Sequence, residues 1–353
     1  MMSLTLFISL VAGWMGLALT ALLATGGPKP LRGLLAGLLL GLCAVGCQSA
    51  RPMAQALMLA CPALALCVRV FMPEAAAREV GRMAGPQPFI LSASAVLAMA
   101  CGRCDLLVMF IGLGLGLHLA FGQHDDWPAL RVGLGGLAMA QGGLFVLQAG
   151  WGGRQEQAGA VLLAGGLLLA CGVLSARLRD QPPGGSMALL ATLPVLAQAA
   201  IVWPALRAAL TFLGCVCLLR TLLPCSRVRA GYMDWSGWAV LAAGLPAATA
   251  PLPLAACLLA LACGGRGRGM AGPFSLLWPP FLPGMALALI LLAEMEAAPM
   301  VALLAGACLW PVFATAAPAG TQPAPAAWVR AGLALALGCM VLVLALRGGM
   351  VLA

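Results

Sequence analysis

The chain has 353 residues, 63% hydrophobic and 8% charged, with a mean hydropathy of +1.05 and a formal net charge of +9. Soluble domains carry about 25% charged residues, so the composition argues against any soluble fold of this length. The 19 basic residues are single and spread along loops rather than clustered, which argues against nucleic-acid binding as the source of the charge.

A helix of about 20 apolar residues crosses a hydrocarbon core. On that measure the sequence predicts an all-α, polytopic transmembrane bundle with spans at 4–25, 33–50, 53–72, 87–102, 105–122, 130–150, 158–176, 186–205, 207–224, 235–249, 251–264, 273–293, 297–316 and 327–346. The first span has no Lys or Arg ahead of it and no small-residue cleavage site, and is read as retained rather than a signal peptide. The pair 235–249 and 251–264 is short and interrupted by Pro246, Pro251 and Pro253. Segments between spans are too short to hold a soluble domain.

The charges supply the orientation. Odd-numbered loops hold fourteen basic residues: Lys29, Arg32, Arg69, Arg78, Arg82, Arg131, Arg177, Arg179, Arg220, Arg227, Arg229, Arg266, Arg268 and Arg330. Even-numbered loops hold four, Arg51, Arg103, Arg154 and Arg207, and Arg347 follows the last span. The excess marks the odd loops as cytoplasmic and both termini as non-cytoplasmic. An odd number of spans would break this alternation, so about fourteen fits better than thirteen.

Small residues set the expected packing. Gly112-x-Gly114-x-Gly116 and Gly133-x-Gly135-Gly136 read as close helix–helix seams. Pro194, Pro204, Pro279, Pro280 and Pro283 interrupt the hydrogen-bond ladder and mark kinked or broken helices, which occur both at ion paths and at structural bends. Most of the 14 cysteines lie inside apolar spans and read as small hydrophobes. Cys101-Gly-Arg-Cys104 is a lone CxxC whose possible histidine partners in the whole chain are His118 and His124, so no metal or redox site is expected. Glu294 and Glu296, at a span end away from most basic loops, are expected to be interfacial.

Five stretches, in order, carry a resemblance. They are Ile90-Leu-Ser-Ala-Ser-Ala-Val-Leu-Ala-Met-Ala100 with Asp105-Leu-Leu-Val-Met-Phe-Ile-Gly-Leu-Gly-Leu115, then Ser186-Met-Ala-Leu-Leu-Ala-Thr-Leu-Pro-Val-Leu-Ala-Gln198. Arg227-Val-Arg-Ala-Gly-Tyr232-Met-Asp-Trp-Ser-Gly-Trp238 and Ser275-Leu-Leu-Trp-Pro-Pro-Phe-Leu-Pro-Gly284-Met285 follow. Together they resemble the fourth, fifth, eighth, tenth and twelfth helices of the antiporter-like membrane subunits of respiratory complex I (NADH-quinone oxidoreductase), of membrane-bound hydrogenases and of Mrp-type antiporters. The resemblance covers roughly residues 88–316. It implies an inverted-repeat architecture in a single transmembrane domain: three N-terminal helices (1–86), a first five-helix repeat (87–206), a second (207–316) and a C-terminal helix (317–353).

In that family a Glu on the fifth helix and lysines on the seventh, eighth and twelfth form a charged axis at mid-membrane. The positions that match here are Gly114, Leu168, Val195 and Ala288, and Lys29 is the sole lysine of the chain. Protons crossing a dry bundle need titratable groups, so the resemblance with its losses implies a degenerate member. The expected role is an accessory or structural membrane subunit of a complex I-like or hydrogenase-like oxidoreductase that does not pump by the family axis. Such a subunit binds no cofactor itself, contacts lipid and other membrane subunits, and meets quinone only through partners. The expected location is the bacterial inner membrane. Two alternatives stand beside this one: a stand-alone secondary transporter of a small or lipid-like substrate, and a proton translocator. The second would use His118, one helical turn beyond Gly114, and a water file along Gln141, Gln148 and Gln198. The chain offers no Fe–S, haem or nucleotide motif and hence no catalytic residues of its own.

Overall fold

The computed structural model describes residues 4–24, 28–49, 103–121, 127–174, 185–222, 235–264 and 282–315, with a few positions between 335 and 343. The expected third and fourth spans, Cys101, His124, the Arg227–Asp234 stretch, Pro279, Pro280 and most of the last span lie outside the described residues. The described residues are helical and contain no strand, so the fold is all-α there.

In chain order the helices are α1 (Leu4–Ala24), α2 (Lys29–Ser49), α3 (Cys104–Phe121), α4 (Trp127–Gln148), α5 (Gly153–Ala170) and α6 (Gly185–Val202). They continue with α7 (Pro204–Leu222), α8 (Trp235–Ala243), α9 (Pro251–Gly264), α10 (Leu282–Ala297) and α11 (Pro299–Thr315). The chain divides into two compact units, Met1–Ala209 and Leu210–Ala353. Within the first, α1 pairs with α2, α4 packs on both α3 and α5, and α6 packs on α3 and α5. Within the second, α8, α9, α10 and α11 pack in succession and α8 also reaches α10.

The closest pairing is α4 with α5, and glycine makes it possible. A Cβ added at Gly136 would lie 2.6 Å from the Gly166 carbonyl oxygen and 2.8 Å from the Ala170 nitrogen. One at Gly143 would meet the Gly159 carbonyl oxygen at 2.5 Å, and Gly159 and Gly166 face the same seam from α5. Glycines seven residues apart on both helices therefore bring two backbones into direct contact, where dispersion and weak Cα–H···O contacts act over the full length of the pair. Of the glycines named from the sequence, Gly133 sits against the Leu115 side chain and Gly112 against Leu137, whereas Gly135 and Gly116 face open space.

The reversal between α4 and α5 uses Gly150, Gly152 and Gly153 at φ of 65°, 67° and 58°, a region that costs residues with a Cβ. At the far end of α5, Gly172 (φ 73°) ends the helix in a Schellman motif. Its N–H donates to the Leu169 carbonyl at 2.8 Å and the Val173 N–H donates to the Leu168 carbonyl at 2.8 Å. Leu168 and Val173, the apolar pair that accompanies such a cap, are both buried.

Proline sets the other boundaries, and here the helices differ from the expected spans. The expected span 235–249 stops at Ala243, because Pro246 has no N–H to donate and restricts the residue before it. The Pro246 carbonyl then accepts the N–H groups of Thr249 and Ala250, and Pro251 opens α9 at a first-turn position that tolerates it. Pro204 and Pro299 begin α7 and α11 in the same way. The Thr211 hydroxyl of α7 donates to the Gly244 carbonyl at the end of α8 (3.3 Å). The expected span 273–293 appears as a helix over Leu282–Ala297, running four residues further.

One described helix, α4, with 22 residues and mean hydropathy 1.4, is long and apolar enough to cross a membrane. At about 1.5 Å per residue it covers about 33 Å, against about 30 Å of hydrocarbon. About fourteen spanning helices are not seen: the proline breaks leave α8 with 9 residues and α9 with 14, too short at this rise for a full crossing.

Paired alanine substitutions test the seam. Gly136→Ala and Gly143→Ala should each lower stability by about 1–3 kcal/mol. Their neighbours Gly135 and Gly142 face open space, and Gly135→Ala and Gly142→Ala should be neutral or stabilise by up to about 1 kcal/mol. Unfolding of the purified variants in detergent reads the difference; equal effects at both kinds of site would remove the seam from the argument.

Candidate functional site

Side-chain chemistry in the first unit concentrates where α5 ends against α6. Pro194 within α6 cannot donate to the carbonyl four residues back. Two residues earlier, the Thr192 hydroxyl donates to the Ala188 carbonyl at 2.7 Å. Its single hydrogen thus used, the hydroxyl oxygen is left to accept from the Cys171 thiol, 3.6 Å away. Thr192 and Cys171 are both fully buried. This is a small neutral relay with both partners satisfied, suited to locking two helices together rather than to carrying charge.

The four positions implied by the resemblance can be located against it. Leu168 on α5 is one turn from Cys171, and Val195 on α6 is one turn from Thr192; both are buried, on helices that pack together. Gly114 is buried on α3, which also packs on α6. Ala288 is half-buried on α10, in the second unit. Three of the four therefore fall on neighbouring helices of one unit.

The remaining sequence candidates are not assembled with them. The backbone of His118 lies in α3, and its side chain is outside what the structure describes. Gln141 and Gln148 are exposed on α4. Gln198 is half-buried on α6, with its Oε1 buried and unpartnered. Among the described residues no hydrogen bond links the three glutamines, and no three His, Cys, Asp or Glu side chains group to hold a metal ion.

The second unit contains a group that sequence reasoning misplaced. Glu294, expected at the interface, is 1% exposed, and its Oε1 has no hydrogen-bond partner. The cause is the longer course of α10. The helix continues to Ala297, which puts Glu294 one turn inside its end, on the face that buries Ile290 and Ala293, while Glu296 stays exposed. Cys215 on α7 lies within electrostatic reach of Glu294 and of Cys308 on α11. The available signal was a single acid following the apolar run 285–293, at i+4 from Ile290.

No protein-family model, no curated protein and no solved structure matches this chain.

The apolar character of the α5–α6 contact can be tested by restoring a charge to it. Val195 is 1% exposed, and no acidic side chain faces it among the described interactions, so Val195→Lys should cost at least about 3 kcal/mol. Val195→Met should cost less than about 1.5 kcal/mol. The folded yield of each variant by size-exclusion in detergent makes the comparison, and an equally well-folded lysine variant would reveal an unseen counter-charge.

Proposed function

We propose that this chain is a multi-pass integral membrane protein in the antiporter-like arrangement. In this reading it is an accessory subunit of a complex I-like or hydrogenase-like oxidoreductase. It fills an antiporter-like position without moving protons along the family's Glu/Lys axis. Electron transfer and any quinone contact belong to partner subunits.

The observation that carries the reading is the set of buried apolar residues, Gly114, Leu168 and Val195, on the packed helices α3, α5 and α6. A pump needs groups there that change charge, and the local polar groups, Thr192 and Cys171, are neutral and mutually satisfied. Losing a single charge from such an axis leaves its former partners buried and uncompensated, so loss of the whole set is the stable outcome.

The outer surface supports placement in lipid. Trp14, Phe145, Val202, Phe212, Met300 and Leu303 are large apolar side chains that stay exposed, as lipid-facing residues of a membrane bundle do. The ends of α4 carry interfacial anchors of the type that flank spanning helices. The Arg131 guanidinium lies 5.2 Å from the Trp127 ring centre, and the Phe145 and Trp151 rings meet edge to face at 6.4 Å.

Purification decides between this role and a free-standing transporter. A tagged chain solubilised from its native membrane in mild detergent should bring down quinone-, Fe–S- or hydrogenase-type subunits in fixed proportion. Recovery as a monomer or homo-oligomer alone would sink the accessory reading. Proton flux by the chain reconstituted alone in liposomes would overturn its non-pumping part.

A further inference from the structure

The one buried acid among the described residues stands apart from every position that the resemblance singles out. Glu294 lies on α10, six residues beyond Ala288, and is enclosed on a helix packed by α8, α9 and α11. These neighbours offer it no opposite charge among the described residues. α8 carries no titratable side chain, α9 brings the buried thiol Cys257, and α11 brings the thiol Cys308. Cys215 of α7 is within electrostatic reach, and on α10 itself Glu296 points outward. Among the described residues of α8, α9, α10 and α11 no cation accompanies the carboxyl and its Oε1 lacks a donor, while α7 also carries Arg220; a charge buried without a partner is costly.

Position adds a second element. Glu294 is three residues from the end of α10, its backbone carbonyl accepts the Ala298 N–H at 2.7 Å, and exposed Glu296 follows within the same turn. The carboxyl is thus enclosed yet within one turn of Glu296 and Ala297, the exposed residues that end α10. A metal ion or sodium would need several oxygen ligands, whereas the groups nearby are thiols.

We propose that Glu294 is a proton-binding site: a neutral carboxyl that takes up and releases a proton at this end of the second unit, independently of the lost charged axis. It binds a proton locally and does not supply a path across the membrane. The proposal does not depend on which subunits accompany the chain.

A hydrophobic carbodiimide tests it, because this reagent adds to protonated carboxyls in apolar surroundings. The carboxyl proton passes to a carbodiimide nitrogen, the carboxyl oxygen bonds to the central carbon, and acyl transfer to nitrogen leaves a stable N-acylurea. Membranes containing the unaltered full-length chain are treated with dicyclohexylcarbodiimide, and adducts are mapped by mass spectrometry. Glu294 should be modified and Glu296 should not, with the yield at Glu294 falling severalfold between about pH 6 and about pH 9. A water-soluble carbodiimide should reverse the preference. Absence of a Glu294 adduct throughout this range, or a yield indifferent to pH, overturns the proposal. Protection by added sodium at constant pH overturns the assignment of the ligand as a proton. Glu294→Gln should remove the adduct and Glu296→Gln retain it; the mapping on the unaltered chain stands even where a variant fails to fold.

Discussion

Two helices whose backbones touch leave no space for side chains between them, and the first unit is organised around one such contact. Gly136 and Gly143 of α4 meet Gly159 and Gly166 of α5. The rest follows from keeping that pair in register. Three left-handed glycines reverse the chain in a short turn, and a fourth, Gly172, ends α5. The cap directs Leu168 and Val173 inward and brings Cys171 to the Thr192 hydroxyl of α6. A side chain at Gly136, Gly143, Gly159 or Gly166 would force the helices apart there and misplace that contact, since packed interiors have little room to give.

In the second unit proline has the corresponding influence. The helices there are short because Pro246, Pro251 and Pro299 each mark a point where the backbone ladder cannot continue. The groups released are recovered nearby: Thr249 and Ala250 bond to the Pro246 carbonyl, and Thr211 reaches the Gly244 carbonyl from α7. A buried backbone group left unpaired is expensive, so broken helices persist only where neighbours satisfy them. The same breaks decide how far α10 runs, and hence that Glu294 falls inside the packed unit and not at its rim.

The chemistry is defined by how little charge the interior holds. The α5–α6 contact is a thiol, a hydroxyl and a carbonyl, each satisfied by the next. Against that background one carboxyl without a partner on Oε1 is conspicuous, because a charge buried without a partner is costly. The proposed accessory role and the proposed proton site are compatible, because the first is argued from uncharged positions on α3, α5, α6 and α10 and the second from a carboxyl at a different place on α10.

The sequence by itself determined the helical class and the small-residue character of the helices, since both follow from composition and spacing. It located the helix start at Pro251, because proline acts locally whatever surrounds it, but placed Pro204 inside the span 186–205, whereas Pro204 opens α7. It also showed Gly114, Leu168 and Val195 to be apolar at the positions where the resemblance implies a charged axis, but could not bring them onto packed helices. Tertiary structure alone decided which glycines form a seam: Gly135 and Gly136 are identical in composition, yet one faces open space and the other a neighbouring backbone. It likewise decided that Gln141 and Gln148 lie exposed and that Glu294, not Glu296, is enclosed. Spacing fixes which face of a helix a residue occupies, whereas burial depends on what packs against that face, and that partner lies far away in the chain.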